Sequence, residues 1–395
     1  MRLASVTARL ASLGGEKWAL HAEMRRRIAA GAPIIELTIG EPDTPPPPPV
    51  IDAAIASLRA GNTRYTGGRG IRSVVDAIAR KYARRSGREI TAENVLYFPG
   101  TQTALYAVMT GLVETGDDVL VGDPLYATYE GVIRSTGAML VPVPLAPEQG
   151  FHLTVEALER AITPRSRVLL LNSPHNPTGA TLSRSEIDTI VAFCVRHDLT
   201  IVSDEVYESM VYGAAFASPF DTPEGADRTI VVSSISKSHM LPGFRAGWCV
   251  GPAEFIAALL PVSETMLFGA QPFIQDGTAH ALDNEFEECR FMVETFAARA
   301  ALVTEALSNC PDIACSQPEG GMFAMIDVSG TGLDGDTFAW RLLDDEKVGV
   351  MPGSSFGEEA KSFVRLSLSR DAEILHEACA RITRLAMRLT REQAA

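Results

Sequence analysis

Short apolar runs alternate with segments of helical periodicity through the middle of the chain. Runs such as VLYF at 95–98, RVLLLN at 167–172 and TIVVSS at 229–234 are rich in Val, Ile and Leu and show little polar alternation. Such runs are typical of strands that are covered on both faces. Helical stretches such as 183–197 lie between them. This alternation predicts a mostly parallel sheet and an α/β fold.

The pattern changes at about residue 285, where long helical segments replace the short strands. Two more strands are predicted in GMFAMIDV and FVRLSLS, with a helix at 336–347 between them. Near the N-terminus, the pattern predicts a helix over 16–30 and a strand in IIELTIG at 34–40. We therefore expect three parts: 1–44, an arm that joins the small domain; 45–285, the large domain; and 286–395, a small C-terminal α+β domain.

Five consecutive prolines, Pro45–Pro49, separate the arm from the next helix. Proline fixes φ and lacks a backbone N–H, so we expect the run in the polyproline II conformation, outside any helix or central strand. Such a segment can bind an SH3-like domain, but a stiff connector is the interpretation that we favour.

Composition narrows the function classes. With 49 acidic and 35 basic side chains, the 395 residues carry a net charge of −14, which argues against nucleic acid or an anionic membrane as the main partner. The six cysteines form no C-x-x-C pair and the seven histidines no ligand cluster, so we expect reduced thiols and no metal site. No signal-peptide core or membrane-spanning run is apparent, and we expect a cytoplasmic protein.

Polar side chains collect where three predicted strands end. Asn176 follows one strand in an N-P-T-G turn, Asp204 and Tyr207 follow the next in IVSDEVY, and Lys237 follows the third in IVVSSISK. Each motif alone has a simpler interpretation as a turn, a helix cap or a surface cation. In an open parallel sheet, however, ligands bind beyond the carboxyl ends of the strands. Together the motifs predict one crevice that holds an amide, a carboxylate, a phenol and an amine.

The order N-P-x-G, then D-x-x-Y, then S-x-S-K with Arg245 eight residues after the lysine closely resembles the class I/II pyridoxal-phosphate-dependent aminotransferases of fold type I. The resemblance runs from IGEPD near residue 40 to RLSLS near residue 365. It implies a large domain with a mostly parallel sheet, a smaller α+β domain, and bound pyridoxal 5′-phosphate (PLP). It also implies ping-pong transfer of an amino group from an L-amino acid to a 2-oxo acid, in a homodimer with shared active sites.

The resemblance also implies catalytic roles. Lys237 would hold PLP as a Schiff base and, once freed, move the proton. Asp204 would keep the ring nitrogen protonated, and Asn176 and Tyr207 would hydrogen-bond to the phenolic oxygen of the ring. A guanidinium fork binds a carboxylate in a bidentate manner, so Arg365 would hold the substrate α-carboxylate, and Asn176 is also expected to contact the substrate.

The phosphate dianion needs fixed donors, and the N-terminus of a helix is a natural anion site. Tyr65 is expected to reach the phosphate bound by the neighbouring subunit, Tyr126 to stack on the cofactor ring, and the Gly40 backbone to contact the substrate carboxylate. The residues expected to bind the phosphate within the same chain are Gly100, Thr101, Gln102, Ser234, Ser236 and Arg245.

The identity of the donor stays open. Dicarboxylate-using members of the family often carry a lysine in the turn that here reads Gly100-Thr101-Gln102, and its absence weakens the case for aspartate. The apolar stretch GGMFAMIDV would equally suit an aromatic or apolar donor, so both classes of donor stay open. Arg69 is a candidate partner for a distal carboxylate. Two alternatives use the same scaffold, a C–S β-lyase and a non-catalytic PLP-binding regulator. A Rossmann-type nucleotide binder is disfavoured, because no G-x-G-x-x-G follows an early strand.

Overall fold

The computed structural model describes residues 1–11, 13, 15 and 17–394. Its helices are α1 Ser5–Ala11, α2 Ala19–Ala29, α3 Pro48–Arg59, α4 Arg72–Ser86, α5 Thr101–Leu112, α6 Tyr129–Thr136, α7 Val155–Ala161, α8 Arg184–Arg196, α9 Pro223–Ala226, α10 Ile235–Ser238, α11 Ala253–Leu267, α12 Pro272–Asp283, α13 Glu287–Leu307, α14 Gly335–Arg341 and α15 Ala372–Ala394. Its strands are β1 Ile35–Glu36, β2 Val95–Phe98, β3 Asp118–Asp123, β4 Met139–Pro144, β5 Ser166–Asn172, β6 Thr200–Asp204, β7 Thr229–Ser234, β8 Gly247–Val250, β9 Ala314–Cys315, β10 Phe323–Asp327, β11 Val348–Gly349, β12 Met351–Pro352 and β13 Phe363–Ser367.

The large sheet has the strand order β2-β8-β7-β6-β5-β3-β4. All neighbouring pairs from β7 to β4 are parallel, which confirms the predicted mostly parallel sheet. Strand β8 runs antiparallel to both of its neighbours. It can do so because the chain returns from β7 to β8 directly, without the crossover that a parallel pair needs.

The three strands whose ends carry the motifs lie side by side in the middle of this sheet. Asn172 at the end of β5 pairs with Asp204 at the end of β6, and Asp204 pairs with Val232 of β7. Because these strands are parallel and in register, their carboxyl ends meet at one edge. The fold therefore brings the three motifs to one place.

A smaller antiparallel sheet has the order β12-β13-β10-β9, and β1 pairs in parallel with β11. Leu20, Met24 and Leu37 of the N-terminal segment share a hydrophobic cluster with side chains of α13, α15, β10 and β13. The N-terminal segment thus packs against the small sheet and its helices, as expected for an arm that joins the small domain. The domain limits 44/45 and 285/286 stay a prediction.

Several local expectations need correction. The regular N-terminal strand is shorter than expected, Ile35–Glu36, although the Leu37 N–H also donates to the Gly349 carbonyl. The helix expected over 16–30 begins at Ala19, with Glu16 outside the described residues. The helix expected at 336–347 ends as an α-helix at Arg341 and continues as a π-helical turn, Leu342–Glu346. Pro48 and Pro49 lie in the first turn of α3 rather than in a connector. First-turn N–H groups have no intrahelical acceptor, so proline costs the helix nothing there.

Among the described helices, none combines the length and the hydropathy that crossing a bilayer requires. The described residues also contain no group of three or more His, Cys, Asp and Glu side chains arranged to hold a metal ion.

Candidate active site

A cavity of about 250 Å³ lies at the carboxyl ends of the central strands, where the large and small sheets meet. Residues of both sheets line it, and so does Trp18 from the N-terminal segment. Twelve of the residues singled out in the sequence line this cavity: Gly40, Thr101, Gln102, Tyr126, Asn176, Asp204, Tyr207, Ser234, Ser236, Lys237, Arg245 and Arg365.

Lys237 lies in the short helix α10 directly after β7. The Ser234 hydroxyl begins this turn by accepting a hydrogen bond from the Ser236 N–H at 3.3 Å. The Lys237 Nζ donates to the carbonyl oxygen of Gly40 at 2.5 Å. Burial lowers the pKa of the Lys237 amine to about 8, and the nearby negative charge of Glu41 opposes this only in part. About a tenth of the amine is then neutral at pH 7, far more than for a surface lysine, which makes it a better nucleophile and base.

Asp204 presents a buried carboxyl group, 4% exposed, to the same cavity. The Tyr129 hydroxyl donates to its Oδ2 at 2.8 Å, and the Val206 N–H donates to its Oδ1 at 3.2 Å. Burial raises the pKa of Asp204 to about 6, although both hydrogen bonds favour the charged form. The group is therefore mostly ionised at neutral pH and would gain from a cationic partner.

Asn172 ties two of the strand ends together. Its side-chain oxygen accepts from the Asn176 N–H at 2.9 Å, and its amide nitrogen donates to the Asp204 carbonyl at 3.0 Å. Burial also raises the pKa of Tyr207, so its phenol stays protonated and can act as a hydrogen-bond donor. The amide and phenol that the sequence predicted thus lie beside the carboxylate.

Arg365 of β13 reaches this group from the small sheet and is 3% exposed. Its guanidinium donates to the Asn176 side-chain oxygen at 2.9 Å and to the Thr38 carbonyl at 2.7 Å. It lies 3.9 Å from the ring centre of Phe323 and 4.4 Å from that of Phe356. Burial lowers the pKa of Arg365 to about 10, so it stays charged at neutral pH. The Nε is buried without a partner among the described residues, which leaves a donor for an anion.

The other end of the cavity is built for an anion. Gly100 precedes the twelve-residue helix α5 and has φ +93°, and a Cβ there would lie 2.3 Å from the Arg245 guanidinium. A Cβ on Gly247 would lie 2.6 Å from the Gly100 carbonyl carbon. Glycine at both positions therefore lets Arg245 lie against the start of α5. The Thr101 hydroxyl is buried there without a partner among the described side chains and N–H groups.

These groups fit PLP. Lys237 provides an amine for the aldehyde, Asp204 a carboxylate for the ring nitrogen, and the start of α5 with Arg245 a set of donors for the phosphate. The buried, unpaired donors of Thr101 and Arg365 suit a phosphate dianion and a carboxylate, respectively.

Three of the residues singled out in the sequence do not line the cavity of this chain: Gly100, which precedes α5 at the anion end, Tyr65 and Arg69. Tyr65 is 85% exposed, and its ring packs edge-on against Phe268 at 5.2 Å. Its expected contact with a neighbouring subunit stays a prediction. Arg69 was considered for a distal carboxylate, but its NH1 donates to the carbonyls of Ala92, Glu93 and Val95 at 3.0–3.2 Å. Its guanidinium instead stabilises the start of β2.

Sequence reasoning missed several residues of the site. Tyr129, which holds Asp204, stands three residues after Tyr126, and this i, i+3 spacing at a strand end was an available signal. Asn172 is the last residue of β5 and could have been found in the same way. Trp18 gave no signal, because only the tertiary structure brings it to a cavity that is formed mostly by residues after α5 begins.

Residues 32–382 match the family described as aminotransferase class I and II. The chain belongs to this family. It is 43% identical over 389 residues to the arginine–pyruvate transaminase AruH of Pseudomonas aeruginosa, covering 98% of this chain and 99% of that protein. An aspartate aminotransferase of Bacillus subtilis is 31% identical over 375 residues, 93% of this chain and 94% of its own length.

Solved structures agree with the sequence relatives. The aspartate aminotransferase of Thermus thermophilus with maleate superimposes with a TM-score of 0.91 at 32% identity, covering 98% of this chain and all of that chain. The aromatic aminotransferase of Pyrococcus horikoshii gives 0.88 at 30% identity, covering 94% and 100%. The expected fold type, the PLP cofactor and the aminotransferase activity are confirmed.

Proposed function

We propose that this aminotransferase takes an amino donor without an acidic side chain, with arginine as the leading candidate, and returns the amino group to a 2-oxo acid such as pyruvate. The observation that carries the proposal is the set of charges around the cavity. The arginine–pyruvate transaminase, which aligns with nearly the whole chain, supports both substrates.

Each cation that lines the cavity binds the cofactor or the substrate α-carboxylate in the proposed reaction. Among the described residues these cations are Lys237, Arg245 and Arg365. In our proposal, Lys237 binds the cofactor aldehyde, Arg245 its phosphate, and Arg365 the substrate α-carboxylate. None of the described cations that line the cavity is then left for a second carboxylate, and Arg69 is bound to backbone carbonyls. Aspartate and glutamate are therefore disfavoured as donors.

An acidic residue instead follows Gly40, which lines the cavity. Glu41 directly follows Gly40, is exposed, and forms no ion pair with a described residue. Its charge acts on the Lys237 amine, which places it within electrostatic reach of the cavity. A guanidinium would gain from this carboxylate and from the aromatic face of Trp18, which lines the cavity. Both features favour a long cationic side chain.

The residues of this chain divide the chemical work. Bound PLP supplies an electron sink for the charge that develops at the substrate α-carbon. Arg365 and the Gly40 backbone orient the α-carboxylate, and Lys237 takes the α-proton and redelivers it as general base and acid. Asp204 holds the proton on the ring nitrogen, while Asn176 and Tyr207 donate to the phenolic oxygen. Tyr126 packs over the ring.

We further propose that the protein acts as a homodimer in the cytoplasm. The exposed Tyr65 and Phe268 form an aromatic pair that a second copy would cover. The six cysteines are free thiols, as a reducing compartment requires. Light scattering of the purified protein tests the dimer, and a monomer that turns over at full rate would contradict it.

A donor panel tests the substrate. PLP-loaded protein is given arginine, lysine, methionine, phenylalanine or aspartate with pyruvate, and formation of alanine is measured. We expect kcat/KM for arginine to exceed that for aspartate by about a hundredfold, because aspartate leaves a buried carboxylate unpaired. A preference for aspartate would overturn the proposal. Cystathionine without any oxo acid is the control for lyase activity, and we expect no ammonia from it.

A further inference from the structure

A partly buried cluster of charged side chains lies directly behind the segment that carries Asp204 and Tyr207. Arg85, in the last turn of α4, donates through NH1 to Glu205 Oε2 and to Glu208 Oε2, both at 2.7 Å. Its Nε lies 2.9 Å from Asp221 Oδ2. None of these side chains lines the cavity. The cluster is therefore not part of the cofactor site itself.

The cluster is anchored from several elements. The second oxygen of Glu205 accepts hydrogen bonds from Ser203 and from Ser218. Lys81 pairs with Glu208 at 3.0 Å. The Arg85 guanidinium also lies 4.7 Å from the ring centre of Tyr82. A guanidinium held by three carboxylates and a ring face has little freedom to move.

The two glutamates that Arg85 binds flank Tyr207 in the chain. The Glu208 N–H donates to the Glu205 carbonyl at 3.0 Å, which closes a turn around Tyr207. The Glu205 N–H donates to the Val232 carbonyl at 2.9 Å, so the turn is continuous with the sheet. Successive side chains on a strand point to opposite faces, so Asp204 faces the cavity while Glu205 faces α4. One guanidinium thus holds both ends of the turn.

We propose that Arg85 is a positioning residue, which clamps the turn from Glu205 to Glu208 and so fixes the Asp204 carboxylate and the Tyr207 hydroxyl relative to the cofactor ring. It touches neither cofactor nor substrate. The inference rests on the proposed roles of Asp204 and Tyr207. If it holds, loosening the clamp changes the electronic state of bound PLP, and not merely the stability of the fold.

The test compares Arg85→Gln and Arg85→Lys with Arg80→Gln. Arg80 lies in the same helix and pairs with Asp283 at the surface, so it is a matched control for losing an arginine ion pair. Three quantities are measured on each holoenzyme: the pH midpoint of the cofactor's visible absorbance, the Kd for PLP, and the kcat and KM of the best donor. Far-UV circular dichroism establishes that each variant is folded.

We expect Arg85→Gln to raise the Kd for PLP about tenfold and to raise the pH midpoint, because a displaced phenol stabilises the anionic ring oxygen less well. The kcat should fall more than KM changes. For Arg85→Lys, we expect a Kd and a pH midpoint between those of the wild type and Arg85→Gln, since lysine keeps the positive charge but lacks the guanidinium fork. Arg80→Gln should match the wild type. Should Arg85→Gln not fold, Glu208→Gln removes one arm of the clamp and is expected to shift the midpoint in the same direction.

The inference is overturned if folded Arg85→Gln or Glu208→Gln keeps the midpoint and the PLP affinity of Arg80→Gln. Asp204→Asn and Tyr207→Phe separate this failure from that of the proposed roles. If these two variants alter the cofactor spectrum and the Arg85 variants do not, only the positioning role fails. If neither pair alters it, the proposed roles and the positioning inference both fail.

Discussion

The guanidinium of Arg365 donates a hydrogen bond to the side-chain oxygen of Asn176 at 2.9 Å. The two residues come from different sheets, since Arg365 lies in β13 and Asn176 in the turn after β5. In the proposed reaction one binds the substrate and the other the cofactor ring. A carboxylate that binds Arg365 therefore meets a group already linked to the cofactor, and the rigid position of this pair orients the substrate before any chemistry begins.

Replacing Arg365 by lysine tests the carboxylate site. An ammonium cannot reproduce the fork, and it leaves the Asn176 or the Thr38 oxygen without its donor. We expect kcat/KM for every donor to fall about a hundredfold or more, by roughly 3 kcal/mol. Arg370→Lys is the control, because that side chain is exposed and lies 3.9 Å from its ion partner. A loss of the same size in both variants would contradict the assignment.

Gly100→Ala tests the phosphate end. The new Cβ would lie 2.3 Å from the Arg245 guanidinium, so Arg245 must move away from the start of α5. We expect the Kd for PLP to rise about tenfold or more. Gly116→Ala is the matched control, because Gly116 also has a positive φ, +108°, but its Cβ would meet no atom within 4 Å. Both variants should lose similar stability, about 1 kcal/mol, and only Gly100→Ala should lose PLP affinity.

Lys237→Ala tests the covalent link. Borohydride treatment of the holoenzyme should attach the cofactor permanently to the wild-type chain and leave this variant unlabelled by mass spectrometry. Turnover should vanish, since no other described amine lines the cavity. The exposed Lys361 supplies the control, and Lys361→Ala should label and turn over as the wild type does. Labelling of Lys237→Ala would place the link elsewhere.

Cofactor affinity should depend on pH through Asp204. Burial raises the pKa of this carboxyl to about 6, so it loses its charge as the pH falls through that value. The protonated form cannot pair with a cationic ring nitrogen, and the Kd for PLP should rise by up to about tenfold per pH unit below the pKa. Asp204→Asn should bind PLP more weakly and without this dependence. An equal slope in both proteins would exclude Asp204 as its source.

Glu41→Gln tests the recognition of a cationic donor. Removing this charge next to Gly40 should lower kcat/KM for arginine about fivefold, a value typical of an exposed ion pair at about 1 kcal/mol, and should leave kcat/KM for methionine unchanged. The effect should shrink in high salt. The control is Glu148→Gln, because Glu148 is also exposed and does not line the cavity. It should change kcat/KM for neither arginine nor methionine. Equal losses of kcat/KM for arginine and methionine would show that Glu41 does not discriminate donors by the charge of their side chains.

The sequence was sufficient for the strands and motifs that obey local rules. Val/Ile/Leu runs located β2 to β8, and the rule that ligands gather at strand ends placed Asn176, Asp204 and Lys237 in one cavity. These features are local or follow from parallel topology. Pro48 and Pro49 were misjudged because the same residue that breaks a helix interior is favoured in its first turn.

What the sequence could not provide depends on tertiary contacts. The direction of the Arg69 guanidinium is decided by three carbonyls that become available only when β2 is in place. The approach of Trp18 to the cavity depends on the packing of the N-terminal segment. The clamp at Arg85 joins α4 to a turn about 120 residues away and has no local pattern.

The wall of the cavity has two origins. Most of the groups proposed for the cofactor and the α-carboxylate lie on the two sheets, on α5 and α10, or in turns at strand ends, whereas Trp18 and Ile39, which line the cavity, and Glu41, which follows Gly40, belong to the segment before α3. Substitutions in this segment can alter which side chain is admitted without disturbing the reacting centre. We expect that members of the family changed their amino donor during evolution through substitutions in this segment, while the catalytic residues stayed the same.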